Sequence, residues 1–262
     1  MKFSVTHQSI GKIVQDCLIV FISRDEETIR LSSFGQAVDE QSDHMLSGLI
    51  KRQRLDARLE HIDVLFEPFG LKCAQLILVG LGDAAQLDQA KARKLLTTVM
   101  AQLSKRKIEQ VAISLGDFAE VGSKLDAESQ AQFAQTLVEA AYANQYCYSE
   151  TRGKEEKKKL KAKKPKPAGF SLLIDKKADS GTVQRHVAIG QAIGAGMNLT
   201  RDLANMPGNV CTPGYLAKTA QAMGKKYAMT TTVLDEAKMK RLGMGALLSV
   251  SKGSREPAKL IA

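Results

Sequence analysis

The sequence predicts an α/β fold in which helices cover a mixed or largely parallel sheet, and three observations predict it. Short apolar runs at residues 17–22, 75–80 and 110–115 alternate with longer stretches of helical periodicity, the pattern of strands joined by helical crossovers. The chain has 262 residues, 44% of them hydrophobic, enough for one large core or two smaller ones. No internal repeat divides it.

The elements follow in order. Residues 17–22 read as an apolar strand, residues 33–52 as a helix, and residues 62–66 and 75–80 as two further strands. A helix is expected over 87–104, a strand over 110–115, and a long helix over 126–146. In that long helix Ala134, Leu137, Val138, Ala141 and Tyr142 share one face, which therefore turns to a core. A strand returns at 170–174.

The helix expected over 182–205 carries an apolar stripe of Ile189, Ile193 and Met197 and has Gly190, Gly194 and Gly196 in its interior. Each glycine costs about 1 kcal/mol relative to alanine. Close approach by another backbone would offset that, so the helix is expected to pack tightly between two domains. Pro207 cannot continue a helix and restricts Met206 to extended geometry, so this one ends near Asn205. Thr212 followed by Pro213 then starts a new helix carrying Leu216, Ala217, Ala220 and Met223 on one face. A strand over 230–234, a short helix after Asp235, a strand over 246–250 and a final apolar run over 259–262 complete the reading.

Several function classes are excluded or weakened by composition. No apolar run approaches the roughly 18 residues of a membrane helix, and Met1-Lys2-Phe3-Ser4 opens no signal-peptide core; a cytoplasmic location is expected. Cys17, Cys73, Cys147 and Cys211 are scattered singly and read as buried free thiols. His7, His44, His61 and His186 fall in different elements without metal-ligand spacing. A G-x-S-x-G nucleophile elbow is absent.

Charge is concentrated. Nine of the basic residues stand between Arg152 and Lys166 (Arg152, Lys154, Lys157, Lys158, Lys159, Lys161, Lys163, Lys164 and Lys166) against Glu155 and Glu156, which supplies +7 of the net +10. Like charges this dense favour an extended, solvated loop, expected over 152–167. Such a loop could also contact phosphate backbones by counterion release, without reading sequence, since no aromatic side chain lies between Arg152 and Lys166 to stack on bases. Both readings stay open. The turn Gly80-Leu81-Gly82-Asp83-Ala84-Ala85 has the G-x-G-x-x-A form of a dinucleotide fingerprint. Lys105, Arg106 and Lys107 stand where an acidic ribose ligand should be, and Asp117 lies well past it, so plain turn chemistry is the better reading.

The stretch from Asn198 to Pro213 carries a family signature. Arg201, Asp202 and Leu203, then Asn205, Pro207 and Asn209, then Thr212 and Pro213, resemble the opening of the catalytic domain of the leucyl aminopeptidases, the two-metal cytosol aminopeptidases of peptidase family M17. Gly243-Met244-Gly245 and Gly253-Ser254 fall where that family also has them. The resemblance implies a macro-domain-like N-terminal α/β domain over 1–178 (a mixed sheet with helices on both faces), a linking helix over 179–205, and the beginning of a second α/β domain over 206–262. It implies removal of N-terminal residues from peptides by a water activated between two divalent metals, zinc or manganese, in a homohexamer, with DNA binding in some members. The family's metal-holding lysine, aspartate and glutamate motifs do not occur here, and the chain stops in Leu260-Ile261-Ala262 without a cap or polar tail. A fragment without activity of its own is therefore expected, and no catalytic, cofactor-binding or metal position is assigned. Asn205 and Asn209 are read as residues that cap the corner. The alternative is a non-catalytic nucleotide- or nucleic-acid-binding α/β module.

Overall fold

Strand β2 (Gln15–Asp25) sets the architecture, because every residue from Cys17 to Ile22 is buried, at no more than 2% exposure. A strand apolar on both sides must lie in the middle of a sheet covered on both faces. In the computed structural model, which describes residues 1–26, 28–117, 127–163, 167–174 and 180–262, it does. Around it lie β1 (Lys2–Thr6), β3 (Thr28–Leu31), β4 (Ile62–Phe66), β5 (Cys73–Asp83), β6 (Gln110–Ser114) and β7 (Gly169–Leu173). Their order is β1-β7-β6-β2-β5-β4, with β3 also on β2. The pairs β1–β7, β7–β6, β6–β2 and β2–β5 are parallel; β3 and β4 run antiparallel to their neighbours.

Alternation along β2 sends Cys17, Ile19 and Phe21 to one face and Leu18, Val20 and Ile22 to the other. The first face meets helices α3 (Gln89–Leu103), α4 (Ala127–Gln145) and α6 (Ser180–Asn205) through Leu96, Val99, Leu137 and Val183. The second meets α1 (Ser33–Gln41) and α2 (Met45–Lys51) through Val38 and Leu46. Helices therefore cover both faces, as the sequence predicts. The expected strands and helices between residues 62 and 145 recur within two or three residues. Asp126, Lys164 and Lys166 lie outside the described residues.

Three expectations need correction. The helix over 33–52 is two helices, because Asp43 and His44 take left-handed backbone, at φ 54° and 57°. The buried Asp39 holds that break: its carboxylate accepts the Ser47 N–H at 2.9 Å and the Ser47 hydroxyl at 2.5 Å, capping α2. The lysine-rich run is no extended loop where it is described, but helix α5 (Lys154–Lys163). Glu155 and Glu156 occupy its first turn, Glu156 pairs with Arg152, and Lys158 reaches Glu155 at 3.2 Å, so acidic residues at the positive helix end and local ion pairs overcome the repulsion. Third, the strand over 246–250 is helix α9 (Gly245–Ser251), in which Ser249 and Ser251 return their hydroxyls to Ala246 and Leu248 carbonyls. A four- or five-residue apolar run does not distinguish the two states.

The glycines of α6 show which approach offsets their cost. A Cβ on Gly190 would stand 2.8 Å from the Gln135 carbonyl oxygen, and one on Gly194 would stand 2.6 Å from the Tyr142 Cβ. The close neighbour is thus α4, and among the described residues none outside its own helix lies within 4 Å of a Cβ placed on Gly196. The buried face of α6 is Val183, Val187, Gly190 and Gly194; Ile189, Ile193 and Met197 are exposed.

The chain divides into two compact units, Met1–Cys147 with Arg152–Asn198, and Tyr148–Thr151 with Leu199–Ala262. The second contains α7 (Pro213–Tyr227), β8 (Val233–Leu234), α8 (Glu236–Arg241), α9 and β9 (Leu260–Ile261). Strands β8 and β9 form an antiparallel pair closed by Thr232 and Ala262, whose amides and carbonyls bond at 2.7 and 2.9 Å.

Candidate functional site

The carboxyl ends of β1, β6 and β7 lie side by side, and helix α1 begins beside them. Strand β6 pairs with β2 only over Cys17–Ile19. Just beyond, the fully buried Asp117 takes over: its carboxylate accepts the Phe21 N–H at 3.0 Å and the Ser32 hydroxyl. Ser32 in turn caps α1 by accepting the Gly35 N–H at 2.9 Å. A cleft of about 210 Å³ opens here, lined by His7, Gln8, Ser33, Ser114, Gly116 and Ile174 among others. Open α/β sheets take ligands at this edge. Among the described lining residues His7 is the one titratable side chain, so the cleft offers no paired acid and base. Sequence reasoning considers Asp117 only as a misplaced ribose ligand; its signal as a scaffold is a carboxylate immediately after the Ser114–Gly116 strand end.

The glycines of the fingerprint-like turn are filled by the chain itself. Gly80 lies within β5, donates to the His61 carbonyl at 2.9 Å, and leaves a Cβ only 2.1 Å from the Arg58 carbonyl oxygen. Gly82, at φ 67°, faces Leu59. These glycines accommodate residues 57–61, and a pyrophosphate has no approach to their backbone.

The histidines lie apart. His7 lines the cleft; His44 sits 3.3 Å from Asp39; His61 stands between Asp56 and Asp63, at 3.6 and 3.3 Å; His186 bridges Glu128 and Gln135, at 3.1 and 3.0 Å. Among the described residues no group of three or more His, Cys, Asp or Glu side chains could share a metal ion. Cys17 and Cys73 are buried, and desolvation pushes their thiols up to about 12 and about 11, so they are inert. Cys147 is exposed and Cys211 half-buried, against the expectation that all four are interior.

The signature stretch forms the expected corner. Helix α6 ends at Asn205, Pro207 accepts the Val210 and Cys211 amides at 2.8 and 2.9 Å, and Thr212 caps α7 by accepting the Tyr215 N–H at 3.3 Å. Asn205 and Asn209 are exposed on it.

Comparison with known proteins decides what the corner belongs to. The profile of the cytosol aminopeptidase family, N-terminal domain, matches residues 19–155, just over half of the chain, and that of the family's catalytic domain matches residues 198–262. The chain belongs to the cytosol aminopeptidase family. A probable cytosol aminopeptidase of Nitrosococcus oceani is 35% identical over all of this chain and 50% of its own length. The cytosol aminopeptidase of Pseudomonas aeruginosa is 35% identical over 88% of this chain and 45% of its own. Among solved structures, a tomato leucine aminopeptidase mutant superimposes on all of this chain and 50% of its own, with a TM-score of 0.71 at 20% identity. A bottromycin maturation enzyme covers 95% of the chain at a TM-score of 0.65. These two share the fold. The chain spans about half the length of the curated relatives it matches.

Proposed function

We propose that this chain supplies the N-terminal half of a leucyl aminopeptidase: an N-terminal domain over 1–178, a linking helix over 179–205, and the opening of the catalytic domain over 206–262. The observation that carries this reading is the match of both family profiles in the family's order, along the corner that joins α6 to α7. A polypeptide of full family length would cleave N-terminal residues from peptides in the cytoplasm, as a homohexamer using two divalent ions, manganese or zinc. The residues described here do not fit a two-metal centre, since no three candidate donors converge. The reading therefore places the metal ligands in the part of the relatives that this chain does not span, and no catalytic step is derived from the present residues.

The test joins residues 1–262 to the unmatched half of the Pseudomonas aeruginosa relative and assays leucine p-nitroanilide with manganese. Chelator-sensitive turnover is expected from the fusion and none from the 262-residue chain. A folded but inactive fusion would sink the reading.

A second reading concerns α5. Its basic run, with Lys154, Lys158 and Lys159 exposed on a helix, supports non-specific contact with duplex DNA as a reading that stands beside a purely solvated role. Affinity would then fall with salt by a log-log slope near 0.9 per phosphate neutralised. Replacing Lys154, Lys157, Lys158 and Lys159 by glutamine should flatten that slope equally on every DNA sequence; an unchanged slope removes the reading.

A further inference from the structure

Strand β4 closes one end of the seven-stranded sheet and, among the described residues, pairs with β5 alone. The register fixes which of its backbone groups are in use. The His61 carbonyl accepts the Gly80 amide and the Glu67 amide donates to the Ala74 carbonyl, both at 2.9 Å, and these two positions bracket the paired residues Ile62–Phe66. In an antiparallel ladder every second residue bonds to a given neighbour, so positions 61, 63, 65 and 67 serve β5. Ile62, Val64 and Phe66 therefore aim their N–H and C=O groups at the open edge. Such edges are ordinarily blunted by lysine, proline, a bulge or a charge, and β1, at the other end of the sheet, exposes Lys2 and Ser4. Strand β4 has neither lysine nor proline, and its pairing with β5 runs without a register shift. Its one charged residue, Asp63, is turned back on its own chain, accepting the Asp56 amide at 3.1 Å beside the His61 ring at 3.3 Å. Phe66 is 67% exposed and Phe69 72% exposed, so this edge is apolar as well as unpaired.

We propose that a second copy of this chain pairs along β4, antiparallel about a two-fold axis at Val64. The occupant follows from the self-complementarity that such an axis demands. With Val64 opposite its own counterpart, Ile62 meets the partner's Phe66 and His61 meets the partner's Glu67, so apolar lies against apolar and an imidazole against a carboxylate. Asp63 falls beside the partner's Leu65, with its carboxylate still held by the Asp56 amide. The outward groups of positions 62, 64 and 66 then face each other, and each opposed pair exchanges two main-chain bonds. Neighbouring registers are worse. A slip of one residue sets inward groups against outward ones. A slip of two, in either direction, opposes Asp63 to the partner's Asp63 or to the partner's Glu67, and like charges across a ladder repel. The match is of β4 with itself, which identifies a copy and not some other segment. The inference goes beyond the aminopeptidase reading, because every residue it uses belongs to the first unit.

The experiment follows the 262-residue chain by sedimentation and by residue-resolved amide exchange over a concentration series. A dimer is expected, with a Kd on the order of 10 µM, in keeping with a small interface. As concentration rises about a hundredfold across that value, exchange at the Ile62, Val64 and Phe66 amides should slow by roughly fivefold, while the Asp63 and Leu65 amides, already bonded to β5, stay as they are. Phe66→Pro removes one outward N–H and an apolar contact at a position where an edge strand tolerates proline. It should weaken association by roughly tenfold or more with a cooperative melt retained. Phe66→Lys keeps the N–H and should weaken association likewise; it is read alone if the proline variant fails to fold. A chain that stays monomeric throughout the series overturns the proposal. So does a dimer whose 62, 64 and 66 amides remain fast, or one that neither substitution weakens. An active fusion whose β4 edge still exchanges freely counts against this pairing alone, whereas an inactive fusion with that edge protected counts against the aminopeptidase reading alone.

Discussion

The two units contain helices and strands of similar kind and differ in what lies between them. In the first, a central strand sealed on both faces organises layers that bury side chains up to the size of Phe21 and Phe170. In the second, the sequence turns Leu216, Ala217, Ala220 and Met223 of α7 to a core, yet Ala217 is the one of the four that is buried, while Leu216 is 38% exposed. Local signals such as the Thr212 cap and Pro213 suffice to start a helix. They do not supply the apolar area that would hold it, because stability comes from burial and not from propensity.

Mutations can sharpen this contrast. The largest effect is expected at Phe21, buried and in edge contact with Phe133 at a centroid distance of 5.6 Å. Phe21→Ala should cost about 3–5 kcal/mol in chemical denaturation; a loss near that of an exposed site would mean the first unit is not the stable one. Gly194→Leu comes next, since it drives a side chain into Tyr142. It should cost on the order of 1–3 kcal/mol, and a melt equal to that of the parent would show that α6 is not seated on α4.

Asp39 gives a smaller effect with a pH signature. Burial pushes its carboxyl up, but hydrogen bonds from the Ser47 side chain and amide, from His44 and from the Leu46 amide outweigh that and hold it below the usual carboxylate value. A depressed folded value stabilises above the ordinary pKa of about 3.9 and is lost as pH falls through the folded one. Asp39→Asn should therefore cost about 1–2 kcal/mol at neutral pH, a gap that closes as pH falls from the ordinary carboxylate value through the lower folded one. A gap constant from pH 7 to pH 2 would contradict the ionic cap. The smallest effect is expected at the second unit's surface. Val250→Asp should change the stability of the chain by no more than about 0.5 kcal/mol, and a larger loss would reveal a contact that its exposure hides.

Legibility in the sequence follows the same divide. Strand β4 and helices α3 and α4 were readable because their periodicity is long or cleanly bounded and their burial is local to one sheet face. Strands β1 and β3 were not, since β1 alternates only weakly and exists through pairing with β7, more than 160 residues away. The break between α1 and α2 depends on a carboxylate and two left-handed residues that periodicity does not register. For the site, the Asn198–Pro213 signature identified the family from side chains that are exposed or half-buried around the corner. The cleft was invisible, because it arises where strand ends distant in sequence meet at Asp117.

The pairing of β1 with β7 also sets a clock. Lys2 is made well before its partner, Gly169. At about 5–20 residues per second, ribosomes need roughly 10–30 s to add the intervening chain. For all that time β1 has no neighbour, so this edge of the sheet is the last part laid down although it is translated before the rest of the sheet. A nascent chain halted before residue 169 should therefore leave residues 2–6 open to protease or chaperone while β2 and β5, already paired, are protected.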